Sequence, residues 1–387
     1  MTQTPKTRGA GHVERSETGR GGSHEAWFAE GERGKTKLLI APTRLGELYL
    51  RNRTLMAPIT RTRVVPRGQD WLAPAYYAER ASAGLIVSEP VPVSERASGY
   101  ADSLGLFTDE HVEAWSTVTR AVHEQGGMIL AQLWHAGRLS LPEYQPGGAD
   151  PVAPSSLAPD GLAYGPKGPV PYGVPRTLTR SEIPFVVDEF AEAARRAKRA
   201  GFDGVEVNAG DGYLIDQFLR DGSNSRTDCY GGTIAKRSRF LIDVLDAVTP
   251  IWRGGRVGVR LSLAHERGNL RDSDPVSLAK YLSREISAFD LAYLHIVEAV
   301  DGPAYPPSQY GVARAFRNAW PGALVLNGGY DARRAEAALR ADQADAISFG
   351  APFIANPDLP ERLRSSEPLD AFDRSKGQLI FSTPLHQ

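Results

Sequence analysis

Residues 200–218 read AGFDGVEVNAGDGYLIDQF. A helix-like segment ends in AGFDG, GVEVN is a short and largely apolar run, and a polar, glycine-rich turn follows. Helix, strand and polar turn in that order form the unit of a parallel α/β sheet, whose strands are buried on both faces. In such sheets the chemistry collects where strands end. Asn208, Asp211 and Tyr213 fall at this end and are candidate catalytic residues.

The same unit recurs on both sides of the stretch. Strands are predicted at 54–59, 84–89, 128–134, 204–208, 257–261, 292–297, 323–327 and 345–349. Helices are predicted at 71–83, 109–125, 181–200, 233–248, 275–288 and 331–340, with Thr108 and either Thr179 or Ser181 as N-caps. Eight such strands predict an α/β fold of the (β/α)8 TIM-barrel class, with the active site at the C-terminal ends of the strands. Residues 139–180, rich in Pro and Gly, are too long for an ordinary connection and predict an excursion over the barrel mouth. Residues 1–37 lack a lasting apolar period and read as a flexible N-terminal extension; residues 38–387 read as one barrel domain.

Composition narrows the function classes. Of 387 residues, 41% are hydrophobic, enough to fill a large interior, and the net charge of −1 gives no general attraction for nucleic acid or an anionic membrane. The chain has no long apolar run and no hydrophobic signal core, so a cytoplasmic protein is expected, as a monomer or homo-oligomer. Cys229 is the only cysteine, which removes internal disulfides and multi-cysteine metal sites; no metal is expected.

Reading only the strand ends gathers Thr60, Glu89, Gln132, His135, Asn208, Asp211, Arg260, His295, Glu298 and Asn327. Gln132 offers a donor and an acceptor, Thr60 a hydroxyl and Arg260 a fixed cation, a set suited to the polar edge of a flat heterocycle. NGGYD (327–331) and FGAPF (349–353) follow the seventh and eighth strands, where backbone N–H groups bind phosphate in such barrels. Gly328, Gly329, Gly350 and Ala351 are the candidates, and tight turns are the competing explanation for the glycines.

From these motifs onward the chain resembles the Old Yellow Enzyme family of FMN-dependent alkene reductases. The resemblance is carried in order by NRTLMAPITRTR, YYAERASAGLIVSE, LGLFTDEHVEAW, GGMILAQLWHAGR, AGFDGVEVNAGDGYLIDQFL, SNSRTDCYGG, VGVRLS, YLHIVE, NGGYD and FIANPDLPERL, across roughly residues 38–363. It implies a barrel holding FMN, reduced by NAD(P)H, that in turn reduces an activated carbon–carbon double bond of a small conjugated molecule. It implies Ala57, Pro58 and Thr60 beside the flavin ring, Gln132 on its pyrimidine side and Arg260 near its polar edge. Gly328, Gly329, Gly350 and Ala351 would surround the phosphate, and Tyr213 would donate the proton.

Three departures qualify that implication. Asn208 and Asp211 stand where most relatives have His followed by His or Asn, and an ionised Asp211 opposes the negative charge that develops on the substrate. Ala351 stands where an arginine commonly meets the phosphate. The tail KGQLIFSTPLHQ is shorter and different, and Leu263 replaces a proline. The leading expectation is an FMN-dependent oxidoreductase that reduces or desaturates an activated alkene. A non-redox isomerase, cyclase or dehydratase on the same barrel, and a silent small-molecule-binding or scaffold protein, are the alternatives.

Overall fold

The computed structural model describes residues 37–61, 73–101, 103–264, 269–298 and 311–372. The predicted N-terminal extension up to residue 36 and the divergent tail lie outside the described residues. Eight parallel strands close into a barrel: β1 (Thr54–Met56), β2 (Leu85–Pro92), β3 (Ile129–Trp134), β4 (Gly204–Asn208), β5 (Val257–Leu261), β6 (Tyr293–Val297), β7 (Leu324–Asn327) and β8 (Ala346–Phe349). They are hydrogen-bonded in chain order, with β8 returning to β1. Every predicted strand is present, although β1 stops at Met56 and leaves Ala57, Pro58 and Thr60 in the segment beyond it.

The helices are α1 (Ala73–Ala78), α2 (Asp109–Glu124), α3 (Ile183–Arg199), α4 (Leu214–Leu219), α5 (Ile234–Trp252), α6 (Pro275–Ile286), α7 (Val312–Ala319), α8 (Ala332–Arg340), α9 (Ala351–Ala355) and α10 (Leu359–Ser365). Apolar spacing explains the long ones: α3 buries Ile183, Val186, Phe190, Ala193, Ala194 and Ala197 along one face, small residues allowing close approach to the barrel. Thr108 caps α2 by accepting from the His111 N–H, as its position predicts. The cap of α3 differs. Glu182 is its N-cap, and the Glu182 carboxylate reaches back to accept from the Thr179 N–H and hydroxyl, so neither Thr179 nor Ser181 begins the helix.

A short hairpin closes the N-terminal end of the barrel, and the excursion lies beside the other end. A hairpin of Thr43–Leu45 and Leu48–Leu50 turns Leu45, Leu48 and Leu50 inward against Leu55, Leu85, Leu130, Tyr293 and Val325, sealing the N-terminal end with apolar side chains. The predicted excursion contains a second hairpin, Leu162–Gly165 with Gly168–Pro171, and a parallel pair, Val152–Ala153 with Arg176–Thr177. Arg226 ties it down by donating to the Pro154 and Leu178 carbonyls, and Tyr172 packs against the Trp134–Tyr213 cluster beside the mouth.

Helix α4, absent from the sequence-based prediction, positions the turn that follows β4. It has six residues, all buried, and begins directly after its N-cap Tyr213. Its end is held by Arg220, whose Nε donates to Asp216 Oδ1 at 2.8 Å while its other nitrogens donate to the Ser262 and Leu263 carbonyls beyond β5. Both members of this pair are inaccessible to solvent. An isolated buried carboxylate is costly, so Arg220→Met, which leaves Asp216 unpaired, is expected to lower unfolding stability by about 3–5 kcal/mol in urea titrations. A loss under about 1 kcal/mol would mean that Asp216 does not depend on Arg220.

Candidate active site

Strand register brings the polar residues of the mouth together. Gln132 lies opposite Glu206, Asn208 opposite Arg260, and Arg260 opposite His295 across β3, β4, β5 and β6. Side chains two residues apart on a strand share a face, so Glu206 and Asn208 both project inward, Glu206 deeper. Glu206 is fully buried; its Oε1 accepts from Gln132 Nε2 at 2.7 Å, and its Oε2 accepts from the Tyr293 hydroxyl and His295 Nδ1, each at 2.9 Å.

These contacts set the charge states. Burial alone raises Glu206, but His295, Arg260 and the Gln132 hydrogen bond outweigh it and hold the carboxyl below its ordinary range. Burial and the Arg260 charge hold His295 below its ordinary value despite Glu206. Its geometry fits the neutral ring: Nδ1–H donates to Glu206 while Nε2 accepts from Arg260 at 3.0 Å. Arg260 also donates from Nε to Asp211 Oδ2 at 2.9 Å and from Nη2 to Asn327 Oδ1 at 3.4 Å.

The turn after β4 is shaped by its own polar side chains. Asn208 Oδ1 accepts from the Gly210 N–H at 3.0 Å, an Asx turn, and its Nδ2 donates to Gln132 Oε1 at 3.1 Å. Asp211 (φ 57°) and Gly212 (φ 83°) then both adopt left-handed backbone, which Asp tolerates better than most residues with a side chain. The Gly212 N–H donates to Asp216 Oδ2, Gln217 Nε2 donates to the Gly212 and Ala136 carbonyls, and the Leu214 N–H donates to the His135 carbonyl. Tyr213 is thereby fixed with 1% exposure, its ring at right angles to Trp134 and its hydroxyl 3.2 Å from that of Tyr100.

The register thus unites Gln132, Asn208, Asp211, Arg260, His295 and Asn327. Three other predicted strand-end residues sit apart from this set. Glu89 pairs with buried Arg61 at 2.6 Å, His135 accepts from the Gly137 N–H, and Glu298 accepts from the Tyr330 hydroxyl. Glu206, Tyr293 and Tyr100 escaped the sequence reading. Glu206 left one signal, a charge inside an otherwise apolar strand two residues before Asn208. Among the described residues, no three His, Cys, Asp or Glu side chains are grouped to hold a metal ion.

The mouth has the features that a phosphorylated, flat cofactor requires. Thr60 Oγ and Ser348 Oγ are buried without a hydrogen-bond partner, so each has capacity left for one. Gly328 (φ 140°) and Gly329 (φ 59°) take backbone shapes that favour glycine, and a Cβ at Gly350 would project into open space. These are the seventh and eighth strand ends, and FMN fits this donor set.

Comparison with known proteins decides the family. The NADH:flavin oxidoreductase / NADH oxidase family profile matches residues 38–370. The chain belongs to this family. It is 45% identical to morphinone reductase solved in complex with tetrahydroNAD, with a TM-score of 0.82 and 87% and 93% of the two chains covered. An old yellow enzyme homologue from Zymomonas mobilis gives 41% identity and a TM-score of 0.85, covering 89% of this chain and 97% of that one. Rice (Oryza sativa subsp. japonica) 12-oxophytodienoate reductase 1 is 37% identical over 87% of this chain and 88% of its own length. Flavin oxidoreductase hxnT of Emericella nidulans is 39% identical over 87% and 93%. As a member of the NADH:flavin oxidoreductase family, the Old Yellow Enzyme group, the chain is an FMN-dependent oxidoreductase. It reduces activated carbon–carbon double bonds by hydride transfer, with NAD(P)H as reductant.

His135 generates a pH prediction. Burial, with help from Arg96, holds its ring down to about 3, against an ordinary value of roughly 6.5. The unfolded chain therefore takes up this proton first as pH falls, so stability present above about pH 6.5 is lost progressively toward pH 3. In His135→Asn the fall in unfolding free energy between pH 6 and pH 4 should be shallower by up to about 1.4 kcal/mol per pH unit. Parallel slopes in the two proteins would show that His135 is protonated within the fold.

Proposed function

We propose that this flavin reductase acts on a small electron-poor alkene whose activating group carries an N–H or O–H donor, and that Tyr213 supplies the proton. The observation that carries the reading is the Asp211–Arg260 pair, 2.9 Å apart, at the end of the strand that also delivers Asn208 and Tyr213. Arg260 beside it favours the charged carboxylate, so Asp211 presents an acceptor where a plain ketone oxygen would meet repulsion. A substrate N–H or O–H is attracted to the same group. Asn208, with its carbonyl held by Gly210 and one N–H held by Gln132, retains a second N–H to orient an acceptor on the substrate.

FMN, when bound, supplies the hydride. Thr60, with its unspent hydroxyl, and the backbone of Ala57 and Pro58 would border its ring, Gln132 its pyrimidine side and Arg260 its polar edge. Gly328, Gly329, Gly350 and Ala351 would hold the phosphate largely through backbone N–H groups, since Ala351 brings no charge. Trp134 and α4 keep Tyr213 buried, away from competing water, so that its phenol delivers a proton to the carbon beside the activating group. The hydride and this proton together saturate the double bond.

The reading extends to a cytoplasmic protein, acting as a monomer or homo-oligomer, with no nucleic-acid or membrane partner. The nicotinamide reductant and the net charge of −1 support it, and among the described residues no helix is long and apolar enough to cross a membrane.

The test begins with the visible spectrum of the purified protein and an FMN titration, followed by steady-state turnover of maleimide and N-methylmaleimide with NADPH or NADH. Stoichiometric FMN is expected, and kcat/KM for maleimide, which carries the N–H, should exceed that for its methylated analogue by about tenfold. Failure to bind FMN would remove the flavin assignment; equal kcat/KM for the two imides would remove the donor preference. Asp211→Asn should erase the preference and raise turnover of 2-cyclohexenone, a plain ketone, by about tenfold as charge repulsion is relieved. Unchanged 2-cyclohexenone turnover would mean that Asp211 does not face the substrate.

A further inference from the structure

A buried acid that gives up a proton in each turnover must recover one, and Tyr213, with 1% exposure, has no direct access to bulk water. Its hydroxyl lies 3.2 Å from that of Tyr100, and Tyr100 is only partly buried. The Tyr100 ring is stacked on Trp134, with centroids 5.7 Å apart and planes 9° apart, while Trp134 meets Tyr213 edge-on at 5.1 Å and 85°. One indole therefore positions both phenols.

Close backbone approach holds this arrangement in place. A Cβ at Gly99 would stand 2.7 Å from the Ala136 Cβ and 3.0 Å from the Trp134 ring, so only glycine lets residues 99–100 lie this close to the end of β3. Ser103 Oγ donates to the Tyr100 carbonyl on the other side.

We infer that Tyr100 is a proton-relay residue for Tyr213, donating its O–H to the Tyr213 oxygen and drawing a replacement proton from solvent. The inference rests on the assignment of Tyr213 as proton donor. Either hydroxyl can donate in this contact, and donation by Tyr100 presents its proton to the Tyr213 oxygen. When the Tyr213 O–H bond breaks and its hydrogen bonds to the substrate carbon, the new phenolate accepts the Tyr100 proton. Tyr100 then takes a proton from water or buffer, which restores both hydroxyls with no change of oxidation state in the relay. A hydrogen bond donated to the developing phenolate also makes Tyr213 a stronger acid.

Tyr100→Phe keeps the ring on Trp134 and removes only the hydroxyl. Rapid mixing separates the two half-reactions: NADPH reduction of the FMN-loaded protein, and reoxidation of the reduced protein by maleimide in H2O and in D2O. In Tyr100→Phe the reoxidation rate is expected to fall about tenfold with a larger solvent isotope effect, while FMN affinity and the rate of reduction by NADPH stay unchanged. Tyr213→Phe should be slower still. Equal slowing of both half-reactions, or weakened FMN binding, would assign Tyr100 a packing role and overturn the relay. An unchanged reoxidation rate and isotope effect in Tyr100→Phe, beside a slow Tyr213→Phe, would overturn the relay and leave Tyr213 as the donor. Full reoxidation rate in Tyr213→Phe would overturn both.

Discussion

The Glu206 carboxylate has no water to hydrate it, and the mouth of the barrel is organised around that fact. A buried anion is tolerated only when donors replace its lost hydration, and here Gln132 from β3 and Tyr293 and His295 from β6 converge on it. Each donor is fixed in turn. His295 can give its Nδ1 hydrogen to Glu206 only as the tautomer whose Nε2 accepts from Arg260, and Gln132, having given its amide hydrogen downward, offers its oxygen upward to Asn208. The network thus transmits the position of one buried charge to the residues that face the mouth.

Above this layer the polar side chains of the mouth pair with one another. Asp211 beside Arg260 neutralises part of the arginine's field and places a carboxylate acceptor in the turn after β4. The left-handed backbone at residue 211 suits Asp or Asn, so the turn holds Asp211 without unusual strain. Asn208 serves the turn and the network at once, through Gly210 and Gln132. Both residues lie beside one scaffold, α4 clamped by Asp216, Gln217 and Arg220.

Much of the fold was legible in the chain. Parallel barrel strands must be apolar on both faces, so eight short apolar runs between helix-like segments stood out, and β4 and β5 match their predicted limits residue for residue. Helix α4 was missed because all six of its residues are buried and no amphipathic period marks it. The cap of α3 was misplaced because the helix starts only after Glu182, whose carboxylate turns back to Thr179 and gives α3 no side-chain cap. The hairpin at 43–50 was missed too, since its strands are only three residues each.

By itself the sequence determined the barrel class, the polar character of the strand ends and, through resemblance, the flavin chemistry, because periodicity and motif order are local properties. Only the tertiary structure decided which of the strand-end residues act together. Register set Arg260 between Asn208 and His295 while Glu89, His135 and Glu298 found other partners, and it exposed Glu206 as the buried charge that orders the set. Tyr100 and Tyr213, 113 positions apart in the chain, meet only because Gly99 allows the backbone against β3. Such pairings depend on which neighbour satisfies a buried donor or charge, a condition that does not exist until the barrel has closed.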